Sequence, residues 1–276
     1  MIRSNNLENR LDFLAHKTIG MIGCGHLGKT IASELVRRGF PAQCLMLSRG
    51  RSHESMQGII DAGLEGCLSD NQEICRKCSI TFIAIRPQSL PDLRGLAFPK
   101  DALVVSCMAG VSLPAIKGLL GVDAVRIMPS GPDTIIAGRG IAAIYPHNQI
   151  LSRILHGLDL RVFELKEEDQ MHIFTAGICL PAALLAWGDG EDAIEEACRC
   201  LSRDYPDFPE ICSWARDVLP RFEREEDKRD YIRKMATRGG ITEAVVESLE
   251  RGDDLITALK QGIERSREIS LCYEMR

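Results

Sequence analysis

One stretch of this 276-residue chain restricts its fold more than any other: TIGMIGCGHLGKTIASELVRRGF, at residues 18–40. A short apolar run gives way to Gly23, Gly25 and Gly28, spaced as GxGxxG, and an amphipathic helical pattern opens at once. Each glycine has its own task. Gly23 permits the tight turn, Gly25 lets a pyrophosphate approach the backbone, and Gly28 lets the helix lie close on the strand. The helix N-terminus, with His26 and Leu27 at its opening, then offers its N–H groups to phosphates. A lone GxGxxG is a weak signal, but between a strand and a helix it points to dinucleotide binding.

The surrounding pattern repeats this alternation. Short apolar runs (QCLMLS, SITFIAIRP, ALVVSCMAG, AVRIMPS) are separated by helical segments, one of them expected at residues 53–62. Strands spaced by helices form a parallel sheet covered on both faces. GIAAIYP and RVFELK extend it at the far edge. The expected fold class is therefore α/β, with an N-terminal Rossmann-type, doubly wound, mostly parallel sheet over residues 17–165 binding the dinucleotide. Residues 1–16 form a polar arm, and residues 166–276 an all-α domain. There EEDQMHIFTAGICLPAALLAWGDG carries a long apolar stretch interrupted by Pro181, and amphipathic segments bounded by Gly, Pro or Asp follow. The join near residue 166 reads as a rigid continuation into that long helix.

The end of the second strand selects the dinucleotide. A site for NAD(H) usually places Asp or Glu there to accept from the ribose 2′-hydroxyl. This chain reads LMLSRGRSH instead. Ser48 can donate a hydrogen bond, and Arg49 and Arg51 can pair with a 2′-phosphate that a carboxylate would repel. NADP(H) is expected over NAD(H).

Composition excludes several function classes. The net charge is −5, from 34 basic and 39 acidic residues spread along the chain, so no one-sign field attracts nucleic acid or anionic membrane. No apolar run approaches the roughly 18 to 20 residues needed to span a bilayer, and the polar first residues lack a signal-peptide core. A cytoplasmic protein without nucleic-acid or membrane partners is expected. Eleven cysteines in mostly apolar contexts read as reduced packing residues. Cys75 and Cys78 form a CxxC, and Cys198 and Cys200 a CxC, but neither has a second pair or histidines at zinc-ligand spacing. The CxxC reads as a helix end followed by a strand, and no metal is expected.

With these residues in hand, the chain from about residue 18 onward resembles the pyrroline-5-carboxylate reductase family. IGCGHLG resembles its nucleotide loop, and Arg86-Pro87-Gln88 its Lys-Pro-Gln. SCMAGVS, at residues 106–112, resembles its Ser-x-x-Ala-Gly-Val turn, and Arg126-Ile127-Met128-Pro129 its Arg-x-Met-Pro-Asn. A second glycine cluster, TRGGIT at residues 237–242, is similar to the signature Ser-Pro-Gly-Gly-Thr-Thr. The resemblance implies hydride transfer from NADPH to a cyclic C=N bond, giving a secondary amine such as proline. It implies that the turn of Thr237, Gly239 and Gly240 binds the imino acid's carboxylate through backbone N–H groups, which glycines in succession permit. It implies that Thr242 orients the substrate, that Arg86, Pro87, Met108, Ala109, Gly110 and Pro129 line the nicotinamide side, and that Ser130 contacts substrate. A homodimer or higher homo-oligomer, formed through the helical domain and completing the pocket, is implied as well.

The chain departs from that family at Ser130, where the family has Asn, at Arg238 for Pro, and at Ile241 for the first Thr. The small-residue run of the family's dimer helix becomes Gly177-Ile178-Cys179-Leu180-Pro181-Ala182. Arg238 beside the carboxylate site suits pairing with a second anionic group. Two other classes stay open: a non-catalytic NADP-binding accessory protein with an altered pocket, and another imine or F420-linked reductase. A β-hydroxyacid dehydrogenase is disfavoured, since its catalytic lysine is missing from EDQMHIFTAGICLPAALLAW. His172, on that segment, reads as a packing or surface residue rather than an acid-base catalyst.

Overall fold

The structure, a computed structural model, describes residues 10–49, 52–188 and 191–274. The chain divides into two compact units, one of Met1–Met108 with Ile116–Phe163, the other of Ala109–Ala115 with Glu164–Arg276.

The first unit opens with β1 (Ile19–Ile22), α1 (His26–Arg37), β2 (Leu45–Ser48), α2 (His53–Asp61), β3 (Leu68–Ser69), α3 (Asn71–Lys77) and β4 (Ile80–Ile83). It continues with β5 (Leu103–Ser106), α4 (Leu113–Leu120), β6 (Ala124–Pro129), α5 (Pro132–Ile136), β7 (Ile141–Tyr145), α6 (Gln149–Gly157) and β8 (Arg161–Glu164). The eight strands form one sheet in the order β3-β2-β1-β4-β5-β6-β7-β8. Every pairing from β3 to β6 is parallel. β7 returns antiparallel to β6, with Pro129 opposite Ala142. The link between those two strands holds only the short helix α5, too little chain for a parallel crossover.

β1 and β4 are buried along their whole length, as strands covered on both faces must be. Polar side chains start several helices: Ser52, Asp70 and Asn148 accept the N–H of Ser55, Glu73 and Leu151 at the heads of α2, α3 and α6. Cys75 lies in the last turn of α3 and Cys78 caps it just ahead of β4, both fully buried, so the CxxC is a helix end leading into a strand. The two-residue β3 was not foreseen because so short a strand carries no periodicity.

The second unit is helical after β8: α7 (Gln170–Gly177), α8 (Leu180–Trp187), α9 (Glu191–Leu201), α10 (Phe208–Val218), α11 (Glu225–Met235), α12 (Ile241–Glu250) and α13 (Leu255–Glu274). The apolar stretch expected as one long helix is two, α7 and α8, bent by 47° at the break. Pro181, second in α8, has no N–H for the Gly177 carbonyl, which ends the helix there. No single described helix is long and apolar enough to cross a membrane. α12 and α13 lie so close that a Cβ on Gly262 would sit 2.5 Å from Val245.

Residues 10–14 of the N-terminal arm pack on the first unit. Leu11 and Leu14 are buried, Arg153 stacks 3.8 Å over Phe13, and Arg10 pairs with Asp159 at 2.6 Å. Asp159, with φ 56, also receives Arg38 at 2.5 Å, while Arg38 and Arg37 grip the buried Glu34 at 3.2 and 2.6 Å. Burial raises the Glu34 carboxyl, but the arginine hydrogen bonds outweigh it and hold the group below its usual range. Asp159 is likewise held low, chiefly by the Arg38 hydrogen bond. A carboxyl depressed in the folded state stabilises the fold above its unfolded pKa and loses that contribution as pH falls through the folded value. Arg38→Ala should therefore cost about 1–2 kcal/mol near neutral pH. The gap from the parent should shrink below about pH 4, as urea unfolding at two pH values would measure. An equal loss at both would show that Arg38 acts by packing alone.

Candidate functional site

In the first unit the glycine loop follows from steric necessity. β1 ends at Ile22 and α1 begins at His26, leaving Gly23, Cys24 and Gly25 to make the turn. Gly23 has φ +95, and a Cβ on it would lie 2.6 Å from the Ala84 carbonyl oxygen. A Cβ on Gly28 would lie 2.0 Å from Gly23's own carbonyl oxygen. Gly25 is the opposite case, with φ −68 and nothing within 4 Å of an added Cβ. It is exposed, as is His26, while Leu27 is half-buried. Two glycines are thus demanded by internal packing, and the third fronts open space. No side chain caps α1, so its first N–H groups and the positive end of its dipole face that space. The loop fits a diphosphate.

Ser48 ends β2, and its Oγ accepts the Gly23 N–H at 2.8 Å. Beside it Cys24 stays a neutral thiol, pushed up to about 11 by burial against a smaller lowering from Ser48. Arg49 is exposed, and Arg51 lies outside the described residues. After β4, Arg86 is exposed and half-buried Pro87 opens a 3-10 turn, Pro87–Leu93. Buried Met108 follows β5, its N–H donating to Ser106 Oγ at 3.3 Å. Pro129 ends β6 and Ser130 follows it. Ser130, read from sequence as a substrate contact, directs its hydroxyl into the fold. Its Oγ accepts the Ile141 N–H at 3.0 Å and, because Thr134 donates to the Gly131 carbonyl, donates to Thr134 Oγ1 at 2.7 Å. These residues gather at the carboxyl ends of parallel strands, around the reversal of strand order between β1 and β4.

Ala109 and Gly110 group with the helical unit. Gly110 has φ +72, and a Cβ there would come within 2.6 Å of Ile269 on α13. Nearby on α13, Ser266 Oγ meets His172 Nδ1 of α7 at 2.7 Å, both buried, so His172 is a packed core residue.

The second glycine cluster is a reverse turn. The Gly240 N–H donates to the Thr237 carbonyl at 2.8 Å, and Gly239 sits at φ +71. Gly240 has no room for a side chain, since a Cβ would lie 2.7 Å from the Thr237 oxygen. Arg265 of α13 donates to the Gly239 carbonyl through Nε at 3.1 Å and Nη2 at 2.9 Å. Glu243, third in α12, accepts the Gly239 N–H at 2.5 Å. Half-buried Thr242, second in α12, places Oγ1 3.2 Å from Cys179 Sγ, which also reaches the Thr175 carbonyl at 3.2 Å. Burial pushes Cys179 up to about 11, with the Thr242 hydrogen bond lowering it in part, so it stays a thiol.

The structure therefore brings Gly23, Gly25, His26, Leu27, Gly28 and Ser48 into one cluster, and Thr237, Gly239, Gly240 and Thr242 into another. Sequence reading did not single out Glu243, Arg265 or the Cys179–Thr242 pair. A carboxylate in the third helical position behind a glycine turn has capping-box spacing and was the available signal. Arg265 and Cys179 act across 26 and 63 residues and leave no local trace.

The unlike glycines give opposite expectations. Gly28→Ala should destabilise the first unit by about 3 kcal/mol or more through overpacking. Gly25→Ala should leave stability within about 0.5 kcal/mol, yet weaken dinucleotide binding about tenfold or more. Thermal melts and fluorescence titration separate the two, and undiminished binding by Gly25→Ala would remove the loop from the site.

The chain is similar to known proteins. Residues 18–110 match the family model described as NADP oxidoreductase coenzyme F420-dependent. The pyrroline-5-carboxylate reductase of Escherichia coli is 32% identical over 130 residues, 44% of this chain and 47% of its own length. That of Haemophilus influenzae is 27% identical over 181 residues, 59% of this chain and 63% of its own length. The match thus spans roughly half to three-fifths of the curated relatives. In fold, 1-pyrroline-5-carboxylate reductase from Streptococcus pyogenes superposes with a TM-score of 0.58 at 21% identity, over 91% of this chain and 98% of that one. A Plasmodium falciparum pyrroline carboxylate reductase with NADP bound gives 0.55 at 17% identity, over 92% and 98%. In sequence over part of its length, and in fold over most of it, the chain is similar to pyrroline-5-carboxylate reductases.

Proposed function

We propose that this chain is an NADPH-dependent reductase of a cyclic imino acid, pyrroline-5-carboxylate or a close analogue, acting on the C=N bond. The observation that carries the reading is the clamped glycine turn of residues 237–240 at the head of α12, with Thr242 beside it. A dinucleotide fold alone fits many activities. A second glycine turn, set at a helix N-terminus, suits a substrate carboxylate, as the family resemblance implies.

Bound NADPH supplies a hydride from the C4 of its nicotinamide ring. The chain's own residues bind and orient. Gly23, Gly25 and Gly28 with the head of α1 hold the diphosphate, and Arg49 and Arg51 pair with the 2′-phosphate, which favours NADPH over NADH. Arg86, Pro87, Met108, Ala109, Gly110 and Pro129 shape the nicotinamide side. The turn holds the carboxylate, and Thr242 positions the ring, its hydroxyl set by the Cys179 sulfur. A cyclic imine is readily protonated near neutral pH, so orientation rather than a strong general acid is what the protein must supply. Pairing with a second copy through the helical unit completes the proposal.

The test follows the loss of NADPH absorbance with pyrroline-5-carboxylate, pyrroline-2-carboxylate and six-membered cyclic imines. Turnover of one of these is expected, with Thr242→Val lowering kcat/KM about 10- to 100-fold and Arg49→Ala raising the KM for NADPH but not for NADH. Tight NADPH binding with no turnover of any imine would select the accessory-protein reading instead.

A further inference from the structure

The turn offered to a substrate carboxylate already holds one. Glu243 reaches back from the first turn of α12 and takes the Gly239 N–H at 2.5 Å. The geometry is constrained from both sides. Gly239 is fixed at φ +71, and Arg265 grips its carbonyl with two donors, so its N–H keeps its aim. The N-cap, Gly240, has no side chain to spend on the helix, and Glu243 is the acidic residue of its first turn. A carboxylate at this position is favoured by the helix dipole as well as by the charged hydrogen bond. Arg265, which reaches the turn from α13, is itself shared with Glu268 at 2.9 Å.

We infer that Glu243 is a specificity-determining residue of this site, an internal competitor that an acid-bearing substrate must displace from the Gly239 amide. The inference rests on the reductase reading and deepens it. An entering carboxylate exchanges with Glu243 rather than filling open amides, and meets its negative charge while doing so. A ring without the acid group makes no such exchange. The turn thus sets a threshold against carboxylated rings that the bare ring does not meet.

Calorimetric titration of the NADP-loaded protein with L-proline, and with pyrrolidine as the acid-free ring, tests this without requiring turnover. Glu243→Ala should bind proline about tenfold or more tighter than the parent, the factor one charged hydrogen bond carries, with pyrrolidine unchanged. Glu243→Gln keeps an acceptor for the Gly239 N–H and removes only the charge. It should show a smaller tightening in the same direction, and it decides the matter if the alanine variant fails to fold. Proline affinity that is unchanged, weaker or unmeasurable in the variants overturns the inference, as does an equal shift for pyrrolidine. A proline shift without NADPH oxidation by any imine would sink the reductase reading while leaving the role of Glu243 standing.

Discussion

The approach of α1 to β1 governs the first unit. Gly28 lies so near Gly23 that a single methyl group would meet the Gly23 carbonyl oxygen at 2.0 Å. Backbone thus rests on backbone, and the helix N-terminus is set directly over the end of the strand. Ser48 holds the loop through the Gly23 N–H, and the Ala84 carbonyl leaves no room for a side chain on Gly23. Phosphate recognition by helix N–H groups depends on this spacing, because the partial charge at a helix end falls off within its first turn.

The second glycine turn is built by different means. Gly23 and Gly28 are required by what surrounds them, whereas Gly239 is required by its own left-handed backbone, with nothing nearer an added Cβ than Arg265 at 3.8 Å. Long polar side chains shape this turn where packed backbone shapes the first. Arg265 and Glu243 hold the two sides of one residue, carbonyl and N–H. Such a turn can trade one anionic partner for another without repacking a core.

All eleven cysteines are free thiols. Burial pushes Cys75 and Cys107 up to about 12 and Cys78 to about 11. Thiolates are the nucleophiles and metal ligands, so these residues act as small apolar groups. Cys78 Sγ would lie 2.9 Å from a Cβ on Gly20, a place where a smaller neighbour lets α3 and β1 approach. Cys179 is buried too, with the Thr175 carbonyl and the Thr242 hydroxyl as partners.

Along the chain, periodicity and glycine spacing determined the α/β class, the mostly parallel sheet, the helical second half and the two glycine turns. Those features depend on local backbone preferences and on which residues shed water, and both are written in short windows of sequence. Tertiary structure alone decided the rest. It turned β7 antiparallel through the shortness of its connection, broke the long apolar helix ahead of Pro181, and added β3 at the edge. It also committed the hydroxyls of Ser48, Ser130 and Thr242 to particular partners. A hydrogen bond needs its atoms within about 3 Å in a given direction, and for residues far apart in the chain only the folded backbone fixes that distance.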